Sequence, residues 1–221
     1  MAQKRTTIYH IAEQLGMSAS YVSRALNEHP AVSKKIVEKV KKKASELHYK
    51  QNSQAANLRH GLSKTMGVIV PHIDQNFFSE AIAGIEEACS ENNYSLIICQ
   101  SHESYKQECM AIETLIHQNV DCILISISAE TQSGEYLETI HNHNIELIQF
   151  DRCLDSIKSY KVLNNNKEAS YLAVKNLIKE KYKMIAFLGG PEHLTMYQHR
   201  KQGYLQAIKE ANLSIPFIHV G

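Results

Sequence analysis

From Ser63 onward, short β-branched runs alternate with amphipathic helical stretches, and that alternation leaves few architectures open. The runs are TMGVIV at 65–70, YSLIICQ at 94–100, CILISI at 122–127, IELIQF at 145–150, MIAFL at 184–188 and FIHV at 217–220. Between them Ile82, Ile85 and Cys89 mark one helix, Ile112, Leu115 and Ile116 a second, and Leu172, Leu177 and Ile178 a third. Strict alternation of strands and helices implies a mostly parallel sheet with helices on both faces. The expected class for this part of the chain is α/β.

The first sixty residues follow a different period. Ile8, Ile11, Ala12 and Leu15 place one apolar face on a helix that Thr7 can cap and Gly16 stops. Ser18 can cap a second helix, with Val22, Ala25 and Leu26 inward and Ala19, Ser20, Ser23 and Arg24 outward. Asn27 to Pro30 breaks it. Ser33 opens a third, burying Val37, Val40, Ala44 and Leu47 and leaving Lys34, Lys35, Lys41 and Lys42 in solvent. The string NSQAANLRH at 52–60 suits a helix of about two turns, too short to persist without a partner.

A formal net charge of +1 conceals an uneven distribution. Residues 1–62 hold eleven Lys and Arg against four Asp and Glu, whereas the rest of the chain holds thirteen against nineteen. A basic module ahead of a mildly acidic body suits a nucleic-acid contact confined to the N-terminal part. The expected organisation is a helical headpiece at 1–50, a hinge or linker at 51–62 and an α/β core at 63–221. The five cysteines form no C-x-x-C pair, so neither a disulfide framework nor a structural zinc site is expected. His141 and His143 lack carboxylate or thiolate company, and no metal or cofactor is expected. Residues MAQKRTTIYH lead into no apolar stretch, and no window approaches a membrane span, so a cytoplasmic location away from membranes is the expectation.

The run from Thr7 to Tyr49, and its V-S-R-A-L-N core at Val22 to Asn27 above all, resembles the headpiece of the lactose/galactose repressor (LacI/GalR) family. The resemblance implies a DNA-binding transcription regulator whose second helix enters the major groove of a palindromic operator, with a homodimer supplying two headpieces. It implies DNA contacts for Ser18, Ala19, Ser20, Tyr21, Ser23, Arg24 and Asn27. Arg24 suits bidentate binding to guanine, while Ser18, Ser23 and Asn27 suit phosphates. In the hinge, Ala55, Ala56 and Leu58 match the family pattern of a small helix in the minor groove with a leucine wedged between base pairs. Gln51 stands where the family usually has proline.

The core resembles the family's periplasmic-binding-protein-like domain from Met66 on. The stretch GVIVPHIDQNFFSEAIAGIEEAC would be the first strand, ligand loop and first helix. Phe77 and Phe78 then follow a strand's carboxyl end, where open α/β sheets bind ligands, and Phe78 suits a core position better than Phe77 does. Asp151 and Arg152 in FDRCLD, with Arg200 in QHRKQGY, are implied to border the same cleft and to hold a small, carbohydrate-like effector. Departures from the family pattern are Asn164 and Asn165 for Asp-Asn, Lys181 for glycine, and Gln75 and Asn76 for Asn-Pro. Relative to the family the sequence stops early at Gly221, so the second of two subdomains is expected to be about half present. GGP at 189–191 lacks phosphate-loop spacing and suits a turn.

Repression is the family's commonest direction. Two other readings stand beside it: a ligand-binding or enzymatic α/β protein with an incidental basic N-terminus, and a regulator that binds DNA without an effector response. No nucleophile elbow, carboxylate pair or metal cluster supports catalysis, so no catalytic residue is expected.

Overall fold

The computed structural model describes residues 6–49 and 61–214, together with the backbone of 218–220. The chain divides into two compact units, Met1–Gly61 and Leu62–Gly221. Ala55, Ala56 and Leu58, with the rest of 50–60, lie outside the described residues.

In the first unit α1 spans Ile8–Leu15, α2 Ala19–Leu26 and α3 Lys34–Glu46. Each helix follows its apolar period. Ile11, Ala12, Val22, Ala25, Val32, Val40 and Ala44 meet in one buried cluster, bordered by Ile8, Leu15, Leu26, Val37 and Leu47. The turn between α1 and α2 depends on Gly16, which sits at φ +62 where a side chain is disfavoured. Met17 N–H then reaches back to the Ala12 carbonyl at 2.9 Å, the closing bond of a Schellman end. Ser18 caps α2 as its sequence suggests, its Oγ accepting from Tyr21 N–H at 3.2 Å. At the head of α1, His10 Nδ1 accepts from Thr7 N–H at 3.0 Å, so histidine fills the place that glutamate takes in the usual capping box.

The second unit begins with β1 (Thr65–Val70), α4 (Asn76–Glu91), β2 (Ser95–Gln100), α5 (Tyr105–His117), β3 (Cys122–Ile125), α6 (Glu135–Asn142), β4 (Glu146–Phe150) and β5 (Tyr160–Val162). The five strands form one parallel sheet in the order β2-β1-β3-β4-β5. Alternate residues of β1 feed opposite faces. Ile69 joins Ile123, Ile125 and Leu147 beneath Ile112, Leu115, Leu137 and Ile140 of α5 and α6. Val68 and Val70 join Phe78 and Phe150, against Ala81, Ile82 and Ile85 of α4. A strand buried on both sides has to be apolar throughout, which is why TMGVIV does not alternate.

The chain continues through α7 (Asn166–Lys179), β6 (Phe187–Gly189), α8 (Thr195–Glu210) and β7 (Ile218–Val220), with β6 and β7 paired in parallel. Val174, Ile185, Tyr204, Ala207 and Ile208 form the apolar cluster here. Two corrections to the sequence expectations arise. β5 was not expected, because its run is only three residues with Lys161 at the centre. β6 starts at Phe187, not Met184. The Ile185 carbonyl accepts from the Tyr204 hydroxyl at 2.7 Å, and the ladder to β7 opens only at Phe187.

Candidate functional site

The exposed side of α2 is the candidate nucleic-acid surface. Ser20 and Arg24 stand four residues apart, on one helix face, and both are exposed. The Arg24 guanidinium has no ion-pair or hydrogen-bond partner among the described residues, so its fork of donors faces solvent. Ser18 is occupied as the cap, its Oγ also lying 3.2 Å from Ser20 Oγ. Asn27 donates its side-chain N–H to the Ser23 carbonyl at 2.9 Å and so closes the helix end. Ala19 is half-buried and packs against the headpiece cluster, contrary to its expected outward position. An eight-residue helix seated on so small a core presses its first turn inward. Tyr21 packs on the same cluster. On α3, Lys34, Lys35 and Lys42 are exposed without ion pairs among the described residues, whereas Lys41 pairs with Glu28 and holds that carboxyl below its ordinary range. Ala55 and Leu58 fall outside the described residues.

A second candidate site lies at the carboxyl end of the five-stranded sheet. Phe77, in the first turn of α4, is 46% exposed, while Phe78 beside it is 2% exposed and belongs to the core, as its sequence context favoured. Phe77 meets Phe78 edge-on with ring centres 5.3 Å apart, and Phe78 meets Phe150 edge-on at 6.4 Å. The aromatic series thus runs from an open ring on α4 to the last residue of β4, immediately ahead of Asp151. Asp151 adopts φ +58, a left-handed conformation uncommon for a residue with a side chain. Burial raises its carboxyl above the ordinary range, against the opposing charges of Arg152 and Arg200. Arg200, though distant in sequence, acts on Asp151 through its charge.

Arg152 departs from the expectation of a free ligand hand. Its side chain is buried, and Nη1 donates to both carboxylate oxygens of Glu103 at 2.9 and 2.7 Å. Glu103 accepts also from Ala129 N–H at 2.8 Å. Beneath this pair, the buried Glu108 accepts from Ser128 N–H at 2.6 Å and from the Thr131 hydroxyl at 2.7 Å. These carboxylates fix the loop after β3, and sequence reasoning missed both. Arg200 donates from Nε to Asn166 Oδ1 at 2.8 Å, with its guanidinium 5.7 Å from the centre of the Tyr197 ring. It borders an open hollow of about 690 Å³ whose lining includes Asn164, Asn165, Asn166, Phe187 and Leu172. The asparagine run was visible in the sequence only as a departure from a family pattern. With Glu168 also in the lining, amides, one guanidinium, one carboxylate and an aromatic ring suit a neutral, hydroxyl-rich molecule. No group of three or more metal-ligating side chains occurs among the described residues, and no described helix is long and apolar enough to cross a membrane.

Comparison with known proteins adds the following. Residues 7–52 match the family model described as bacterial regulatory proteins, lacI family. Residues 63–220 match the model for periplasmic binding proteins and the sugar binding domain of the LacI family. The HTH-type transcriptional repressor PurR of Vibrio vulnificus is 33% identical over 210 residues, 95% of this chain and 62% of the relative. The ribose operon repressor of Haemophilus influenzae is 31% identical over 209 residues, with the same shares covered. The chain thus spans less than two thirds of the length of these curated relatives. Among solved structures, a lac repressor dimer bound to operator and the anti-inducer ONPF superposes with a TM-score of 0.80 at 22% identity, covering 99% of this chain and 66% of that one. At that identity the likeness concerns the fold.

Proposed function

The chain belongs to the LacI family of bacterial regulatory proteins, and from that premise we propose that it is a sequence-specific DNA-binding transcriptional repressor. It binds a palindromic operator as a homodimer, under the control of a small carbohydrate-like ligand, and acts in the cytoplasm as a regulator and not as an enzyme. Residues 1–50 are the DNA-binding headpiece, 51–62 the hinge, and 63–221 the effector-binding and dimerisation core. The observation that carries this reading is the α2 face, where Ser20 and an Arg24 without a partner among the described residues project from a capped helix, with exposed lysines on α3. Such a helix fits the major groove, Arg24 reading guanine while Ser18, Ser23, Asn27 and the lysines meet phosphates. Ala19 and Tyr21 shape the close approach of α2 to the bases. In the hinge Ala55 and Leu58 enter the minor groove, Leu58 as the wedge.

Phe77, Asp151 and Arg200 contact the ligand: a ring to stack, a carboxyl and a guanidinium for hydroxyls. Phe78 and Arg152 hold them from behind. The exposed Ile98 on edge strand β2 supports a second copy pairing on the α4 side of the sheet. Ligand binding at the sheet's carboxyl end changes the energy of placing two headpieces on one operator, so the two sites are linked.

The test is selection of duplexes from a random pool with the 221-residue chain, followed by sedimentation with and without the selected DNA at fixed salt. The expected result is a palindrome with a central pyrimidine-purine step, bound by a dimer, and loss of the central preference in Leu58→Ala. A folded chain that enriches no sequence overturns the proposal. The exposure of Met184 (82%) and Leu188 (75%) favours a second reading, DNA binding without effector response. Calorimetric titration with a panel of sugars distinguishes the two, heat of binding that alters operator affinity supporting effector control.

A further inference from the structure

The chain enters its second unit at residues 62–64, and one side chain holds that entry. Asp121, just ahead of β3, receives Ser63 N–H on Oδ1 at 2.7 Å and Lys64 N–H on Oδ2 at 2.9 Å. Both of its carboxylate oxygens thus serve consecutive amides of a segment nearly sixty positions earlier. Its own backbone is tied on both sides, Asp121 N–H donating to the Thr65 carbonyl at 2.8 Å and Glu146 N–H donating to the Asp121 carbonyl at 3.2 Å. Lys64 adopts φ +56, and its carbonyl accepts from Ser95 N–H at 2.9 Å. Its ammonium lies 4.3 Å from the centre of the Tyr94 ring. Residues 63–65 are therefore bonded to the entries of both β2 and β3 before the β1 ladder has fully begun. Amides in an ordinary surface connection are satisfied by water and need no carboxylate. Two charge-assisted bonds from one acceptor make this junction stiff.

We infer that Asp121 is a positioning residue for DNA recognition: it clamps the first residues of the core to the sheet, and the half-site spacing that the chain accepts on DNA depends on that clamp. The inference rests on the DNA-regulator reading above and adds to it the residue on which the accepted spacing depends. A stiff junction restricts the half-site separations that two headpieces span, whereas a loose one widens them.

The experiment compares the 221-residue chain with Asp121→Asn and Asp121→Ala by two measurements. The first is amide hydrogen exchange at Ser63 and Lys64, with Val68 as the control for an intact sheet. The second is affinity for the selected palindrome against duplexes with half-site spacing changed by about two base pairs. The wild-type chain should discriminate between spacings by about tenfold or more, and Asp121→Ala by about threefold or less, with Ser63 and Lys64 exchanging faster and Val68 still protected. Asp121→Asn retains one acceptor oxygen and should fall between; it carries the comparison if the alanine variant loses protection at Val68. A role confined to stability would weaken binding to all duplexes alike, so unchanged discrimination in the variants overturns the inference. Wild-type protein that enriches no duplex overturns the regulator reading and, with it, this inference. That failure is recognisable because wild type then binds no better than the variants.

Discussion

Arg152 and Glu103 are joined by two hydrogen bonds, Nη1 of the guanidinium reaching Oε1 at 2.9 Å and Oε2 at 2.7 Å. Arg152 follows β4, Glu103 follows β2, and Ala129, which donates to the same carboxylate, follows β3. One ion pair thus ties three of the loops at the sheet's carboxyl end. Removing Glu103 leaves the buried Arg152 without its counter-charge, and removing Arg152 leaves Glu103 unpaired and partly exposed. Arg152→Met or Glu103→Ala should therefore each lower stability by about 2–4 kcal/mol, discounted for the partial exposure of Glu103. The double variant should lose less than the sum, because the residues share one interaction. Urea unfolding of the four proteins measures this, and single losses below about 0.5 kcal/mol would show that the pair contributes little.

Glu108 gives a pH signature opposite to that of an ordinary salt-bridged carboxylate. It is buried, and desolvation raises its carboxyl above the ordinary 4.5, outweighing the bonds from Thr131 and Ser128. The folded state therefore holds the Glu108 proton more tightly than the unfolded chain does. Its contribution is fully present below about pH 4.5 and is lost as pH rises through the folded value. In Glu108→Gln that dependence should vanish, since the amide does not titrate and its oxygen still accepts from Ser128 N–H. Denaturant midpoints over a pH series should show the stability of wild type relative to Glu108→Gln falling as pH rises above 4.5. A difference that grows with pH would reverse the assignment.

Gly203 of α8 faces the backbone of α7. A Cβ built there would lie 2.1 Å from the Lys167 carbonyl oxygen and 2.8 Å from Tyr171 N, both backbone atoms that cannot move aside alone. Gly203→Ala should force the helices apart and lower stability by about 1–3 kcal/mol, the range for overpacking. Gly84, within α4, has no atom within 4 Å of the same construction. Gly84→Ala should stabilise by about 0.5–1 kcal/mol through helix propensity alone. Thermal unfolding of both variants checks the contrast, and equal effects of one sign would refute the packing argument.

The sequence carried the sheet and its two helical layers because the interior strands β1 and β3 are buried on both faces, a condition that leaves a continuous apolar run such as Val68 to Val70. It carried the three headpiece helices through periodicity within each one, as in Ile8, Ile11, Ala12 and Leu15 of α1 or Val22, Ala25 and Leu26 of α2, and these faces meet in one cluster. Strand β5 was not legible, since at the sheet's edge three residues around Lys161 need satisfy only one neighbour. The ligand-side charges were legible as residue types but not as partners. Arg152 is bound by a carboxylate 49 positions earlier, and no local pattern records such a pairing. Ala19 could be placed on a face by period, yet how far that face sinks depends on the size of the core beneath it.

Arg24 and Lys35 are both exposed cations on the headpiece, yet they should fail differently when removed. Arg24 shares the α2 face with Ser20, the face proposed to enter the groove, whereas Lys35 lies in the first turn of α3. Arg24→Ala should weaken binding to the selected duplex by about 1–3 kcal/mol and relax the preference at one base pair, as loss of a bidentate guanine contact does. Lys35→Ala should weaken all duplexes alike and reduce the slope of log K against log salt by about one phosphate contact, without altering base preference. Fluorescence anisotropy with single-base-pair variants of the duplex, at several salt concentrations, separates the two effects. If Arg24→Ala instead lowers only the salt slope, Arg24 contacts a phosphate, and the burden of base readout passes to Ser20 and Tyr21.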